Sequence, residues 1–521
     1  MQLAKQNVIK AAFILTFCGV FCRILGAFYR VPQANMLGSE GMGNYYLIFP
    51  IFSFMISLSA SSIPQSLSKL VAESVQNGEQ NKAKKYFKSS LLLMTFCGLF
   101  CSLLMIFFAP ILSKLQQNTQ SLNSYFAIAP AVFFVCLISC FRGYFQGYQT
   151  MTFSGISQII EQVIKVAFGL YLTNKLLVYG IEYGVFGSLI AITISEFVAL
   201  VYLFISYKFF AKKIVNNSGN TISYKQCFKD VIKTTMPFTL SYVIFPLSVF
   251  LDSLFVVKFL TISGLSGDFA MGVFGLNGGV INTLTNLPIV VSTALAVVVV
   301  PSLSGDIKSG NREGCNEKIA LIFKICVLII LPCVIVFAIF PKEIIMILFG
   351  SLAGGVIDEL AIASNMLIIS SIGVLYLGIF QVSSGILQSS GDFYVPVKSL
   401  GIGVAVRLVL CVVLCFVPKV NIYAISIANV VCFFIIATFN VSALQKSFNV
   451  KINYKSAFIF PIISCVCMVV AVIGTKLIFA KIFSESLAAF ISLFVGGVVY
   501  LCCLILFKVF GKSELRAMIN G

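Results

Sequence analysis

Histidine and tryptophan are both absent from the 521 residues, and only 10% of the side chains carry charge. Without histidine the chain lacks the usual general base and the usual switch near neutral pH. Its 17 cysteines include no CxxC pair, so the spacing of a zinc site is missing as well. No Walker loop, HExxH, GxSxG or paired-carboxylate motif occurs. An enzyme is therefore not expected, nor is a cofactor or a metal. Long polar stretches are missing too, which excludes a sizeable soluble domain.

What is present is apolar. The chain is 59% hydrophobic, with a mean hydropathy of +1.02. A helix crossing a bilayer needs roughly 20 apolar residues, and fourteen such runs can be placed. They lie near 8–29, 44–68, 88–112, 122–141, 152–174, 184–207 and 230–258, then 270–303, 319–341, 358–388, 394–417, 421–443, 456–478 and 486–508. The expected fold is an all-α integral membrane protein of fourteen transmembrane helices. The first run follows Lys5 and Lys10, yet it contains Arg23, lacks an Ala-x-Ala cleavage site and leads straight into another span. It is read as a span of the mature protein, not a signal peptide.

The formal net charge of +18 is a matter of topology. With the N-terminus placed inside, the lysine clusters at Lys82, Lys84, Lys85 and Lys88 and at Lys208, Lys212, Lys213, Lys225, Lys229 and Lys233 all fall on the cytoplasmic side. Both ends are then cytoplasmic, and the partners implied are the bilayer and its anionic lipids, not nucleic acid. Cys18/Cys22, Cys97/Cys101, Cys136/Cys140 and Cys411/Cys415 are spaced i,i+4 inside apolar runs. They read as small residues that let helices approach closely.

The chain also repeats itself. Moved forward by 242 residues without a gap, Phe141–Leu170 (FRGYFQGYQTMTFSGISQIIEQVIKVAFGL) overlies Gly385–Leu408: Gly143 meets Gly385, Gln146 meets Gln388 and Lys165 meets Arg407. At an offset of 229, Gly38, Met42 and Gly43 meet Gly267, Met271 and Gly272, and Arg23 meets Asp252. Six spans separate equivalent points, so the two halves run in the same direction, as parallel repeats do in transporters. The expected domains are six-helix lobes at 1–213 and 224–446, an extra helix pair at 455–510, which could wall a groove for a long lipid tail, and a cytoplasmic tail at 511–521.

The fifth span carries the chemistry. Ser154, Gln158, Glu161, Gln162 and Lys165 share one helical face, opposite Ile159, Ile160, Val163, Ile164 and Val166. Two readings stand: a Glu161–Lys165 ion pair that glues helices, or a stripe in which Gln158, Glu161, Gln162 and Lys165 line a polar cavity. Glu161 corresponds to Gly403 in the second half, so Arg407 has no local carboxylate and reads as awaiting an anion. Arg23 sits deep in an apolar run and should face a cavity or a partner. Asp252 is a lone intramembrane carboxylate and the ion-coupling candidate, with a salt bridge to Arg23 or Arg407 as its plain alternative. Glu196 receives no role. The turn after the fourth span, with Arg142, Gly143 and Gln146, and the exits IPQSLSKLVAE at Pro64 and VPSLSGD at Pro301, read as corner and gating elements.

CRILGAFYRVP with GSEGMG, IPQSLSKLVAE, FRGYFQGYQ and SQIIEQ together resemble the polysaccharide-biosynthesis branch of the MOP (multidrug/oligosaccharidyl-lipid/polysaccharide) exporter superfamily. Within it they resemble the group of stage V sporulation protein B and the MurJ-like lipid II flippases. The resemblance covers nearly the whole chain. It implies a 6+6 helix core, two further helices, and alternating access that moves an undecaprenyl-pyrophosphate-linked glycan to the outer leaflet of the bacterial cytoplasmic membrane. Arg23 matches the family's arginine in the first helix, Arg30 or Tyr29 stands where MurJ proteins have a second, and PSLS at 301–304 matches too. Thr283 replaces an arginine those proteins carry before the eighth-helix proline, the paired arginines of helix 2 are absent, and helix 11 lacks the Asn and Asp of a sodium site.

A diphosphate needs cations in a dehydrated cavity, and Arg23, Arg30, Lys165 and Arg407 are the candidates to bind it. The protein is expected to act as a monomer, with cell-wall synthesis proteins as possible partners. An exporter of another lipid-linked oligosaccharide and a cation-coupled multidrug exporter are the nearest alternatives. A membrane glycosyltransferase or ligase would need a long external loop, which is missing.

Overall fold

The computed structural model describes residues 8–119, 121–212, 222–290, 292–293, 303, 312–350, 359–392, 394–448, 458–507 and 509. Among these residues every regular element is helical. By contacts the chain forms two compact units, Met1–Gly275 and Leu276–Gly521.

The first unit holds eight helices: α1 (Val8–Ser59), α2 (Ile63–Gln76), α3 (Gln80–Leu115), α4 (Leu122–Gly147), α5 (Met151–Leu177), α6 (Ile181–Ala211), α7 (Tyr224–Ile262) and α8 (Gly267–Gly275). The runs at 8–29 and 44–68 leave residues 30–43, with GSEGMG, as an expected short loop between the first two spans. Instead α1 carries both and breaks at a single residue, Gly38, at φ 67° and ψ −174°. That conformation suits glycine, which has no Cβ to clash, so GSEGMG is a kink and not a loop. The second span was expected to reach residue 68. It ends at Ser59, and a new helix starts at Ile63 with Pro64 in its first turn, where the missing N–H costs nothing.

Small residues set the helix spacing in this unit. A Cβ on Gly143 would lie 3.1 Å from the Cα of Pro64, and one on Gly147 2.6 Å from the Cβ of Val71, so α4 rests directly on α2. Likewise Gly98 of α3 abuts Cys136 of α4, where an added Cβ would meet Cys136 Cβ at 2.9 Å. This is the close approach the small-xxx-small pattern provides, and all seventeen cysteines are free. The sharpest contact is between α8 and α1: a Cβ on Gly275 would stand 1.9 Å from the carbonyl oxygen of Ser39, whereas one on Gly272 would stand 3.5 Å from Ser39 Oγ. Gly275→Ala is accordingly expected to destabilise the protein by about 1–3 kcal/mol. Gly272→Ala, a much milder contact, should stay within about 0.5 kcal/mol. Thermal unfolding of the two purified variants checks the difference, and equal midpoints would contradict the packing.

The repeat boundary expected between 213 and 224 is not where the contacts divide, because α7 packs with the first unit. Hydroxyl pairs fasten it to α2, Ser62 to Thr239 at 2.7 Å and Ser66 to Thr235 at 2.9 Å. Tyr86 of α3 donates to Asp230 at 2.9 Å.

The second unit opens with a π-helical turn, Leu276–Ile281, that runs on as helix to residue 290. It continues with α9 (Arg312–Ile339), α10 (Pro341–Leu348), α11 (Glu359–Ser389), α12 (Tyr394–Cys415), α13 (Ala424–Phe448), α14 (Phe460–Phe479) and α15 (Glu485–Leu506). The short α10 was not foreseen; Phe340 and Pro341 end α9 and start it. The terminal pair α14 and α15 shares a core with α9, formed by Leu328, Phe340, Cys465, Met468, Tyr500 and Leu504. Val470, Leu477, Phe494 and Ile505 are exposed on the pair's other faces.

Eleven described helices are long and apolar enough to cross a membrane. The first of these, Phe17–Gln76, contains two expected crossings broken at Gly38. The polar-striped α5 and the segment from Gly267 onward supply the rest of the fourteen.

The repeat is visible in the backbone. At the α4–α5 corner the N–H groups of Tyr148, Gln149 and Thr150 bond the carbonyls of Tyr144, Gln146 and Phe145. At the α11–α12 corner those of Ser390, Gly391 and Asp392 bond Ile386, Gln388 and Leu387, the same set moved by 242 residues. Both corners turn on a left-handed residue, Gln149 at φ 59° and Gly391 at φ 88°.

Candidate functional site

The stripe on α5 faces the interior of the first unit. Ser154, Ser157, Gln162, Gly169 and Thr173 are buried, while Val163, Phe168 and Tyr171 are exposed on the other side. Two close contacts seat it against α1. A Cβ on Gly26 would lie 2.8 Å from Gln162 Nε2, and one on Gly169 2.6 Å from Tyr29 Oη. Tyr29 Oη in turn hydrogen-bonds Ser188 Oγ of α6 at 2.9 Å, and Gln33 donates to the same hydroxyl. Gln158 is half-buried.

Glu161 does not pair with Lys165. Arg142 of α4 takes it, Nη2 to Oε2 at 2.8 Å, while Arg142 Nε donates to Ser157 Oγ at 2.9 Å. Ser154 Oγ donates to the main-chain oxygen of Arg142 at 3.3 Å. The guanidinium reaches a carboxylate and a hydroxyl at once, through Nη2 and Nε at the fixed angles of its planar fork. Arg142 thus clamps the corner to the stripe, with Gly143 against Pro64 one residue on. Gln146 is half-buried beside it, and Pro301 lies outside the described residues.

Lys165, left without Glu161, is half-buried and makes no ion pair with any described residue. Glu196 of α6, to which the sequence gave no role, is 7% exposed, and the charges acting on it are those of Glu161, Arg142 and Lys165. Cys22 of α1 feels the same three. No sequence spacing links Glu196 to this group; it joins only through the packing of α6 on α4 and α5. Arg23, next to Cys22, is exposed, among exposed Phe21, Ile24 and Phe28.

Further along α1, the guanidinium of Arg30 lies over the ring of Tyr46, 6.0 Å from its centroid, with the phenols of Tyr45 and Tyr29 within electrostatic reach. It is half-buried and, among the described residues, has no carboxylate partner. Asp252 of α7 is 5% exposed. Beside it Gln116 of α3 donates to the carbonyls of Leu47 at 2.9 Å and Ser253 at 3.0 Å, tying three helices together.

The structure therefore brings Arg142, Glu161, Gln162, Lys165 and Glu196 together in one unit. Arg407 belongs to the other. It is 2% exposed, and its Nε donates to Asn429 Oδ1 at 2.6 Å. At Gly403, the equivalent of Glu161, a Cβ would strike Ile436 Cγ1 at 2.5 Å. The second half has exchanged a carboxylate for close helix contact, and Arg407 is anchored by an amide. Elsewhere in this unit Ser399 donates to Asn440 at 2.7 Å and Asn440 donates to Ser384 at 2.9 Å.

The chain matches the family described as polysaccharide biosynthesis protein over residues 8–305, and the MatE family over residues 237–413. It is 27% identical to the stage V sporulation protein B of Bacillus subtilis (strain 168) over 520 residues, covering 99% of this chain and 98% of that one. It is 23% identical to the lipid II flippase MurJ of the same organism over 526 residues, covering 96% and 95%. Among solved structures, lipid II flippase MurJ in an inward closed conformation superposes with a TM-score of 0.72 at 17% identity, over 95% of this chain and 99% of that one. The inward-facing conformation of a multidrug resistance MATE family transporter of the MOP superfamily gives 0.67 at 16% identity, over 85% and 100%.

Proposed function

This chain belongs to the polysaccharide biosynthesis protein family, and from that premise we propose that it is an exporter of the MOP superfamily that flips lipid II, an undecaprenyl-pyrophosphate-linked glycan, from the inner to the outer leaflet of the bacterial cytoplasmic membrane. The observation that carries the reading is the pair Arg30 and Lys165, two cations among the helices of one unit with no ion-pair partner among the described residues. A charge at the centre of a membrane helix costs about 2.5–3.5 kcal/mol by insertion scales, a cost that falls on Lys165 midway along α5 and favours an anionic ligand there, while Arg30 stands at the end of the first expected span, over the Tyr46 ring. A diphosphate suits them: it offers several acceptor oxygens, and the planar guanidinium of Arg30 can bind two of them side by side. Arg23, one helical turn from Gly26 and its contact with Gln162, is proposed to serve the same head group. Pro64, Gly143 and Pro301 are proposed to mark the segments that bend during alternating access, and Asp252 the coupling site. Both termini are placed in the cytoplasm.

The buried acids Asp252 and Glu196 favour a second reading, a cation-coupled exporter of cationic drugs on the same fold. The two readings separate in a strain depleted of its lipid II flippase. This chain should restore growth and return lipid II to the outer leaflet. Drug resistance without that return would replace the first reading by the second.

A further inference from the structure

Glu196 is nine-tenths buried, sits on a membrane-spanning helix, and makes no hydrogen bond or ion pair to a described residue. Three helices pack on α6: α5, α4 and α1. From α5 come Glu161 and Lys165 and from α4 comes Arg142; α1 brings Cys22 to those same charges and Tyr29 to Ser188. Arg142 is already bound to Glu161 at 2.8 Å and to Ser157 at 2.9 Å. Glu196 therefore lies beside a like charge with neither of the two cations in bonding range. A carboxylate removed from water without a partner is costly, and a like charge nearby makes it costlier. Taking up a proton removes both costs.

We propose that Glu196 is a proton-binding site, and that its proton controls the affinity of the cluster for an anion. The proton comes from water and goes onto the Glu196 carboxylate; no other bond changes. With Glu196 ionised, the two acids Glu161 and Glu196 balance Arg142 and Lys165. With Glu196 protonated, one positive charge is in excess, and it belongs to Lys165, which Glu161 does not hold. A diphosphate then binds more tightly, and by linkage its binding draws in a proton. The proton site rests on the burial of Glu196 on a spanning helix without a bonded partner among the described residues; its link to the anion rests on the function proposed above.

Infrared difference spectra of the full chain, between acid and alkaline pH, test the first part. A carboxylic-acid stretch is expected that disappears in Glu196→Gln, shifts in Glu196→Asp and survives in Asp252→Asn. Persistence of the same band in Glu196→Gln, or its absence at every pH, overturns the proposal. Calorimetry with inorganic pyrophosphate in two buffers of different ionisation enthalpy tests the second. Proton uptake is expected on binding to the wild type and none in Glu196→Gln, and the wild-type affinity should fall up to about tenfold per pH unit as the acid ionises. Binding without proton uptake overturns the link. Failure of pyrophosphate to bind at any pH removes the anion-binding function instead, and the infrared spectra decide the proton site independently.

Discussion

Replacing Arg142 by Ala should destabilise the protein by about 3–5 kcal/mol, because it leaves Glu161 as an uncompensated charge inside the first unit. The clamp it breaks joins α4 to two positions of α5, Ser157 and Glu161, so the corner and the polar stripe lose their common register. Side chains of both partners are only about a fifth exposed, 17% and 20%, and water cannot take over the lost contact. Removing both charges together is a different case. Arg142→Met with Glu161→Leu replaces a paired set by apolar groups of similar size, a change that is often neutral. Thermal unfolding of the purified proteins should show the double variant recovering most of the single variant's loss. Equal loss in both would mean that the loss comes from the missing Arg142 bonds themselves and not from an uncompensated Glu161.

The second large effect concerns the unpaired cations. Arg30→Ala and Lys165→Ala should each lower transport by roughly 10–100-fold, the size expected from losing one charge-assisted hydrogen bond of about 1.5–3 kcal/mol. Neither should unfold the protein, since neither side chain holds a described carboxylate in place. Arg30→Lys should recover part of the rate, keeping charge without the two-pronged geometry. Arg407→Ala is expected to behave differently. That residue is 2% exposed and bonded to Asn429, so its loss should appear first as lower stability. Normal stability in Arg407→Ala together with lost transport would return it to the ligand site.

Much of this was legible in the chain itself, and for physical reasons. Apolar runs long enough to span a bilayer are hard to mistake, and the period of α5 set Ser154 and Gln162 on one face, where both are buried. The 242-residue repeat could be read because a corner constrains the backbone: Gln149 and Gly391 both turn left-handed, and few sequences do that. Pairing was harder. Local spacing offered Lys165 to Glu161, but Arg142 takes it from another helix and bonds Ser157 as well, a neighbour that only helix packing supplies. Glu196 stayed without a role because its neighbours lie 35 and 54 positions away, at Glu161 and Arg142, and only helix packing brings them near. The break at Gly38 was missed for a simpler reason: a single left-handed glycine can redirect a helix with no change in composition around it.

The central claim is that the cargo is an anionic lipid-linked glycan, and proteoliposomes carrying the purified full chain address it most directly. Polyprenyl-diphosphate-linked glycan is supplied in the inner leaflet, and its appearance in the outer leaflet is followed with an enzyme that cannot cross the membrane. The account predicts saturable transfer that needs the protein, is lost in Arg30→Ala, and is not competed by cationic amphiphiles. Movement of cationic amphiphiles with no transfer of the diphosphate-linked glycan would contradict it.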